Sequence, residues 1–207
     1  LRTVLDKDCE LNILTARDEK GLAVLRHTAS HVMAEAVQTL FPEAKVAIGP
    51  SIDTGFYYDF ECQSFSRDDL DAIEKEMKKI IKKGAKIERF TKSREDAIAF
   101  FKEKNEPYKV ELIEDLPEGE EISFYSQGDW VDLCAGPHLM STKGIKAFKL
   151  LSSSGAYWRG DENKHMLTRI YGTAYATKDE LKEHLTQLEE AKKRDHRKLG
   201  KELGLFM

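Results

Sequence analysis

The chain has 207 residues, 41% hydrophobic and 34% charged, with a net charge of −4. That balance describes a soluble globular protein long enough to bury a real core, as one domain with an appendage or as two small ones. It excludes a global positive field for nucleic acid, so such a partner would have to use local basic faces, and no apolar run reaches a membrane span or a signal peptide.

Residues 1–20 alternate in Thr3-Val-Leu and Glu10-Leu-Asn-Ile-Leu and read as the last strands of a preceding small β-rich module. Leu1 in place of an initiator Met reads as a piece of something longer. An amphipathic helix is expected from about Gly21 to Phe41, stopped by Pro42. Lys45 to Ile52 and Gly55 to Phe60 are β-rich runs around Asp53-Thr-Gly55, a hairpin signal. A second helix spans about Arg67 to Lys83, acidic at its start and basic at its end, as the helix dipole favours.

Lys86 to Phe90 reads as a strand, and Ser93 to Lys104 as a short helix capped by Ser93. Tyr108 to Ile113, Ile122 to Ser126 and Trp130 to Cys134 are expected strands. Further β pattern follows in Ile145 to Leu151, Ala156 to Gly160 and Met166 to Thr173. From Thr177 to about Leu203 the chain becomes one long charged helix, with Glu180 completing a capping box. Strands interspersed with helices predict an α+β fold with a mainly antiparallel sheet.

Chemistry concentrates in two matched pairs, His27-x-x-x-His31 and Cys134-x-x-x-His138. On a helix, residues four apart share a face about one 5.4 Å turn from each other. Gly136 and Pro137 force a turn that folds Cys134 and His138 toward each other. Three imidazoles and a thiol suit a closed tetrahedral zinc site. Thr28, Ala29 and Ser30 supply no Glu of the zinc-protease kind, and a closed site leaves no place for a catalytic water. A metal-free pocket in which these groups shuttle protons is equally compatible.

Asp132, two residues before Cys134, is expected on the same strand face as the thiol. There it could orient a water, a ribose hydroxyl or an amino group, and an exposed edge aspartate reads equally well. Lys109 opens an expected strand, where most lysines reach out to solvent. Phe56, Tyr57, Tyr58 and Phe60 read mainly as core, with one phenol facing away from its neighbour. His165, His184 and His196 lack partners in sequence and read as surface residues. The basic runs at Lys78 to Lys86 and Lys192 to Lys198 read as solvated faces. Cys9, Cys62 and Cys134 are too few and scattered for a disulfide framework, which points to a reducing, cytoplasmic setting.

His27-Thr-Ala-Ser-His31, Gly55-Phe-Tyr-Tyr-Asp59, Asp132-Leu-Cys-Ala-Gly-Pro-His138, Gly155-Ala-Tyr-Trp-Arg-Gly160, Arg169-Ile-Tyr-Gly-Thr173 and Lys193-Arg-Asp-His-Arg-Lys-Leu-Gly200 together resemble the N-terminal part of bacterial-type threonyl-tRNA synthetases over roughly residues 21–207. The two paired motifs alone are shared with alanyl-tRNA editing domains; the last three segments favour the threonyl family. The resemblance implies that residues 1–20 are the tail of a ubiquitin-like module. Residues 21–176 would be an editing domain, and 177–207 a linker helix toward an aminoacylation core outside this chain. That core would hold the ATP site and a zinc site of its own, and most of the contacts of a homodimer.

The implied activity is hydrolysis of serine from mischarged tRNA(Thr). Threonine and serine differ by one methyl, from which a binding pocket extracts only about 1–3 kcal/mol, so a second, narrower site is needed. Carried over by position, the pocket falls on His27, His31, Cys134 and His138, with Lys109 and Asp132 assisting and Tyr58 lining it. In the family this pocket is understood to work without a metal, which sets zinc on those four residues as the lesser reading. His27 would contact the ribose hydroxyl, Lys109 and Asp132 would position water, and Cys134, His31 and His138 would shape the serine slot. Ala135 stands where relatives often carry a basic residue, so no backbone-contact role transfers there. Changing His27 or Lys109 to Ala is expected to abolish deacylation and leave the fold intact. Two alternatives stand beside this reading: a tRNA-binding module without catalysis, and a free-standing or alanyl-type zinc-dependent aminoacyl-tRNA deacylase.

Overall fold

The computed structural model describes residues 6–10 and 12–194. Its larger layer is an antiparallel sheet. The strands are β1 (Lys45–Val46), β2 (Ser51–Ile52), β3 (Gly55–Glu61), β7 (Ala147–Tyr157) and β8 (Met166–Tyr175). The order is β1-β3-β8-β7, with β2 also pairing to β3. Tyr57 faces Tyr171 and Asp59 faces Arg169 in the β3–β8 register, and a bulge interrupts β7–β8 between Leu150 and Ser152.

Two helices, α1 (Glu19–Leu40) and α2 (Arg67–Lys83), pack on this sheet. The centre of α1 is buried almost all round, with Ala29, Ala34 and Ala36 small enough for close packing against the sheet. Phe56, Tyr58, Phe60, Leu150 and Ile170 meet Leu25, Val32, Met33, Val37, Ile73 and Met77 in the main core. Ser66 and Asp69 cap α2 reciprocally, and Gly84 closes it in the left-handed conformation.

Between α2 and β7 the chain makes a smaller unit. Its sheet has the order β4-β5-β6, formed by β4 (Ile87–Lys92), β5 (Ile122–Gln127) and β6 (Trp130–Leu133). Two helices cover it, α3 (Arg94–Glu103) and α4 (Pro107–Glu114). Ala97, Phe101, Val110, Ile113, Ile122 and Phe124 make its core, with Phe124 stacked between Phe90 and Phe101. The unit enters and leaves at one place: Thr142 N–H donates to the Ala85 carbonyl and Ile87 N–H to the Met140 carbonyl.

A buried polar chain joins the two units. Trp130 Nε1 donates to Gln38 on α1 at 2.8 Å, and Gln38 donates to the Glu106 carboxylate at 2.6 Å. Glu106 in turn accepts from the Val46 N–H at 2.9 Å. Gln127 at the end of β5 donates to the His31 carbonyl at 3.2 Å. Among the described residues, no buried side-chain nitrogen or oxygen lacks a partner.

The α+β class and the mainly antiparallel sheets agree with the sequence reading, and α2 has the expected bounds. Several expectations are corrected. Tyr108 to Ile113 is not a strand: it is the body of α4, started by Pro107 at the first helical position, where its missing N–H costs nothing. Lys109 is accordingly buried, 2% exposed, and does not reach solvent. Residues 6–10 and 12–15 form no strand, while Thr3 to Leu5 lies outside the described residues. The C-terminal helix is α5 (Lys178–Lys193), capped by Thr177 and Glu180; its expected continuation beyond residue 194, with His196, also lies outside them. His165 is exposed, but His184 is half-buried with its ring against Tyr175. No described helix is long and apolar enough to cross a membrane, and all three cysteines are free.

Candidate functional site

The two histidine-bearing motifs meet where the units join. His27 and His31 project from one face of α1, their ring centroids 5.2 Å apart. Cys134 and His138 arrive from the segment after β6, which the Gly136 conformation bends back (φ +76°). A Cβ at Gly136 would run into the Tyr125 phenol and displace it, a second reason for glycine beside the positive φ. Cys134 Sγ lies 3.2 Å from His138 Nε2 and 3.4 Å from His27 Nε2. The His138 ring centroid is 4.3 Å from that of His27 and 4.2 Å from that of His31. One donor atom from each of the four residues fits within a 4.8 Å span.

Behind this cluster lies a buried ion pair with a tyrosine hydroxyl set against it. Lys109 Nζ sits 2.6 Å from Asp132 Oδ1 and donates to the Tyr58 hydroxyl at 2.9 Å. Tyr58 donates to Asp132 Oδ2 at 2.6 Å, and His31 Nε2 stands 3.7 Å from the same oxygen. Asp132 is 1% exposed, so the edge-aspartate reading fails; its Oδ1 also accepts from the Leu133 N–H. Tyr58 is fully buried, whereas Tyr57 turns to the other face of β3 and carries the Arg169 guanidinium on its ring, as alternation requires.

Burial sets the protonation of the pocket. Desolvation pushes His31 well below the ordinary imidazole range, with the His27 and Lys109 charges acting in the same direction. It pushes His138 down to about 2, helped by His31 and His27. His27 is lowered too, mainly by burial, while Asp132 opposes the shift. Burial raises the Cys134 thiol to about 11, against a Gly136 N–H that favours the thiolate. Near neutral pH the cluster is therefore three neutral bases and a protonated thiol, fit to accept hydrogen bonds and shuttle protons.

The donor set also suits a metal in its chemistry. Zinc bonds of about 2.0–2.3 Å place tetrahedral ligands somewhat under 4 Å apart, close to the two sulfur–nitrogen separations above. His27, His31, Cys134 and His138 would be the ligands.

Beside His27 opens a cleft of about 340 Å³, lined by Ala23, Val24, Ser51 and Pro137 and including Lys20. The structure thus brings together every residue the sequence singled out for this site. It also adds some that the sequence reading missed. Thr28 Oγ1 lies 3.2 Å from His138 Nδ1, Tyr125 packs 4.5 Å from the His138 ring, and Trp130 packs 5.6 Å from His31. Thr28 sits inside the His27–His31 motif and could have been found there; nothing in the sequence marks Tyr125.

Comparison with known proteins accords with this geometry. Residues 122–171 match the model of the threonyl and alanyl tRNA synthetase second additional domain. The match covers β5, β6, the Cys134–His138 turn, β7 and part of β8. The chain is 65% identical over its whole length to a threonine–tRNA ligase of Clostridium novyi, covering 32% of that protein. It is 63% identical over 98% of its length to the threonine–tRNA ligase of Acetivibrio thermocellus (32% of it), and 65% identical over its whole length to that of Clostridium botulinum (33%). It spans about a third of the length of these curated relatives. With its paired motifs converged, the chain is similar over its whole length to about a third of these threonine–tRNA ligases, and its residues 122–171 to the second additional domain of threonyl and alanyl enzymes.

Proposed function

We propose that this pocket edits misacylated tRNA by hydrolysing the ester of serine carried on tRNA(Thr). The observation that carries this reading is the convergence of His27, His31, Cys134 and His138 within 4.8 Å beside an open cleft. Neutral bases and a neutral thiol suit an ester that must be attacked by water without competing charge. The cleft at His27 receives the terminal ribose, and His27 contacts the hydroxyl next to the ester. Cys134, His31 and His138 surround the amino-acid side chain. A slot this crowded admits serine and meets the extra methyl of threonine with repulsion, which a binding pocket alone cannot exploit in the opposite direction.

Lys109 and Asp132 are too buried to touch bulk water directly. They act from behind, through the Tyr58 hydroxyl and His31, and by the opposed pulls of their charges on His27. In the domain plan that fits this reading, residues 21–176 form the editing unit and α5 begins the connection to the ligase core of a longer, dimeric cytoplasmic enzyme.

The test presents seryl-tRNA(Thr) and threonyl-tRNA(Thr) to the folded chain. Serine should be released and threonine retained. His27→Ala should slow serine release by roughly 10²-fold or more with the circular dichroism unchanged. Binding of tRNA with no release of serine would overturn the proposal in favour of a non-catalytic module.

A second reading rests on the same four donors. A zinc ion held by all four of His27, His31, Cys134 and His138 would be a closed structural clamp, and Lewis-acid polarisation of a substrate oxygen would need one of the four to leave it a position. Elemental analysis after expression in zinc-supplemented medium, followed by chelation, separates the readings. The metal-free proposal expects substoichiometric zinc and full serine release in chelator; stoichiometric zinc whose removal stops release would favour the metal.

A further inference from the structure

The Thr28 hydroxyl has one hydrogen to give and two lone pairs to receive with. Three partners surround it: the Val24 carbonyl at 2.8 Å, the Leu139 N–H at 3.0 Å and His138 Nδ1 at 3.2 Å. A carbonyl can only accept, so the hydroxyl hydrogen goes to Val24, the usual back-bond of a helical threonine. The Leu139 N–H can only donate and occupies one lone pair. The remaining lone pair faces His138 Nδ1, which must therefore carry a hydrogen. A neutral imidazole has a single N–H, so Nε2, 3.2 Å from Cys134 Sγ, is left as a bare acceptor on the pocket side.

We propose that Thr28 is a positioning residue that locks His138 in its Nδ1–H tautomer, so that the pocket presents the Nε2 lone pair to the hydroxyl of a bound serine. The same hydroxyl holds Leu139, one residue beyond His138, and so fixes the ring's place as well as its tautomer. With no substrate present, the Cys134 thiol hydrogen can turn to this lone pair; the serine hydroxyl displaces it. Recognition is then of a donor hydrogen, in addition to exclusion of a methyl. The consequence for turnover rests on the ester-hydrolysis reading above, whereas the tautomer does not.

The experiment has two independent arms. Long-range ¹H–¹⁵N correlation on the ¹⁵N-histidine-labelled chain in chelator should show a protonated Nδ1 and a pyridine-type Nε2 for His138, assigned by its loss in His138→Asn. In Thr28→Val that signature should shift toward the Nε2–H form, and Thr28→Ser should restore it. In the second arm, kcat/KM for seryl-tRNA relative to alanyl-tRNA, whose side chain has no hydroxyl, should fall roughly tenfold in Thr28→Val and recover in Thr28→Ser. That is the size expected for one lost hydrogen bond. An Nε2–H tautomer in the unsubstituted chain overturns the proposal. So does a Thr28→Val variant that keeps the tautomer, or that slows both esters equally. If the unsubstituted chain releases neither amino acid, the ester-hydrolysis reading fails while the tautomer measurement still decides the role of Thr28. If Thr28→Val does not fold, the unsubstituted spectrum and Thr28→Ser decide it.

Discussion

Lys109 is the residue whose environment most changes what a substitution means. From sequence it reads as a solvent-reaching lysine that can be truncated without harm to the fold. In the structure its ammonium and the Asp132 carboxylate are both out of water and 2.6 Å apart. Removing one member of such a pair leaves a buried charge without its partner, at a cost of about 3–5 kcal/mol. Lys109→Ala is therefore expected to lower the urea midpoint sharply, and Lys109→Met combined with Asp132→Leu should recover most of the loss. A Lys109→Ala midpoint within error of the parent would refute the burial argument. His27, only partly buried at the cleft, is the cleaner catalytic probe.

At the scale of elements, the His31 helix and the Cys134 turn were legible because their signals are local. Spacing of four on a helix and a Gly-Pro bend each fix geometry over a few residues. The α2 caps were legible for the same reason. The α4 helix was not, because Tyr108, Val110 and Leu112 alternate as a strand would, and Val110 is β-branched. Pro107 was the competing signal, and packing of Val110 and Ile113 on the small sheet decided the outcome. Only the family resemblance put Lys109, Tyr58 and Asp132 in one pocket; no local signal marks their contacts, which join positions 51 and 74 residues from Tyr58. A related test concerns the bend. Gly136→Ala must adopt a left-handed conformation, costing about 1–2 kcal/mol, and must also displace Tyr125. Gly119→Ala shares the positive φ but has nothing within 4 Å of the added carbon. Thermal unfolding should show a clearly larger loss at 136, and serine release should fail only there.

For the whole molecule, the pocket writes a pH signature on stability. His27, His31 and His138 all bind protons less readily when folded, from a reference of 6.5. Their contribution is complete above about 6.5 and is lost as pH falls, by up to about 1.4 kcal/mol per pH unit for each proton taken up only on unfolding. Glu35 and Glu106, raised by burial, bind protons more readily when folded and oppose this loss below neutrality. Cys134 and Cys62, each raised by burial from 9.0 to about 11, add an alkaline limb: their contribution is complete below about 9 and is lost as pH rises through 11. Urea midpoints should peak between these limbs. His138→Asn should lessen the acid limb and Cys134→Ser the alkaline one, each in part; limbs unchanged in both variants would show that other groups set the profile.

The small unit leaves and re-enters the main layer at a single clasp, where 85 and 87 pair with 142 and 140. Leu133 to Met140 is thus a tether of set length strung between β6 and that clasp, with Cys134 and His138 threaded on it. One residue added anywhere along this span would give it slack. Both ends would stay anchored, both layers could keep their packing, and the misalignment would collect at the thiol and the imidazole.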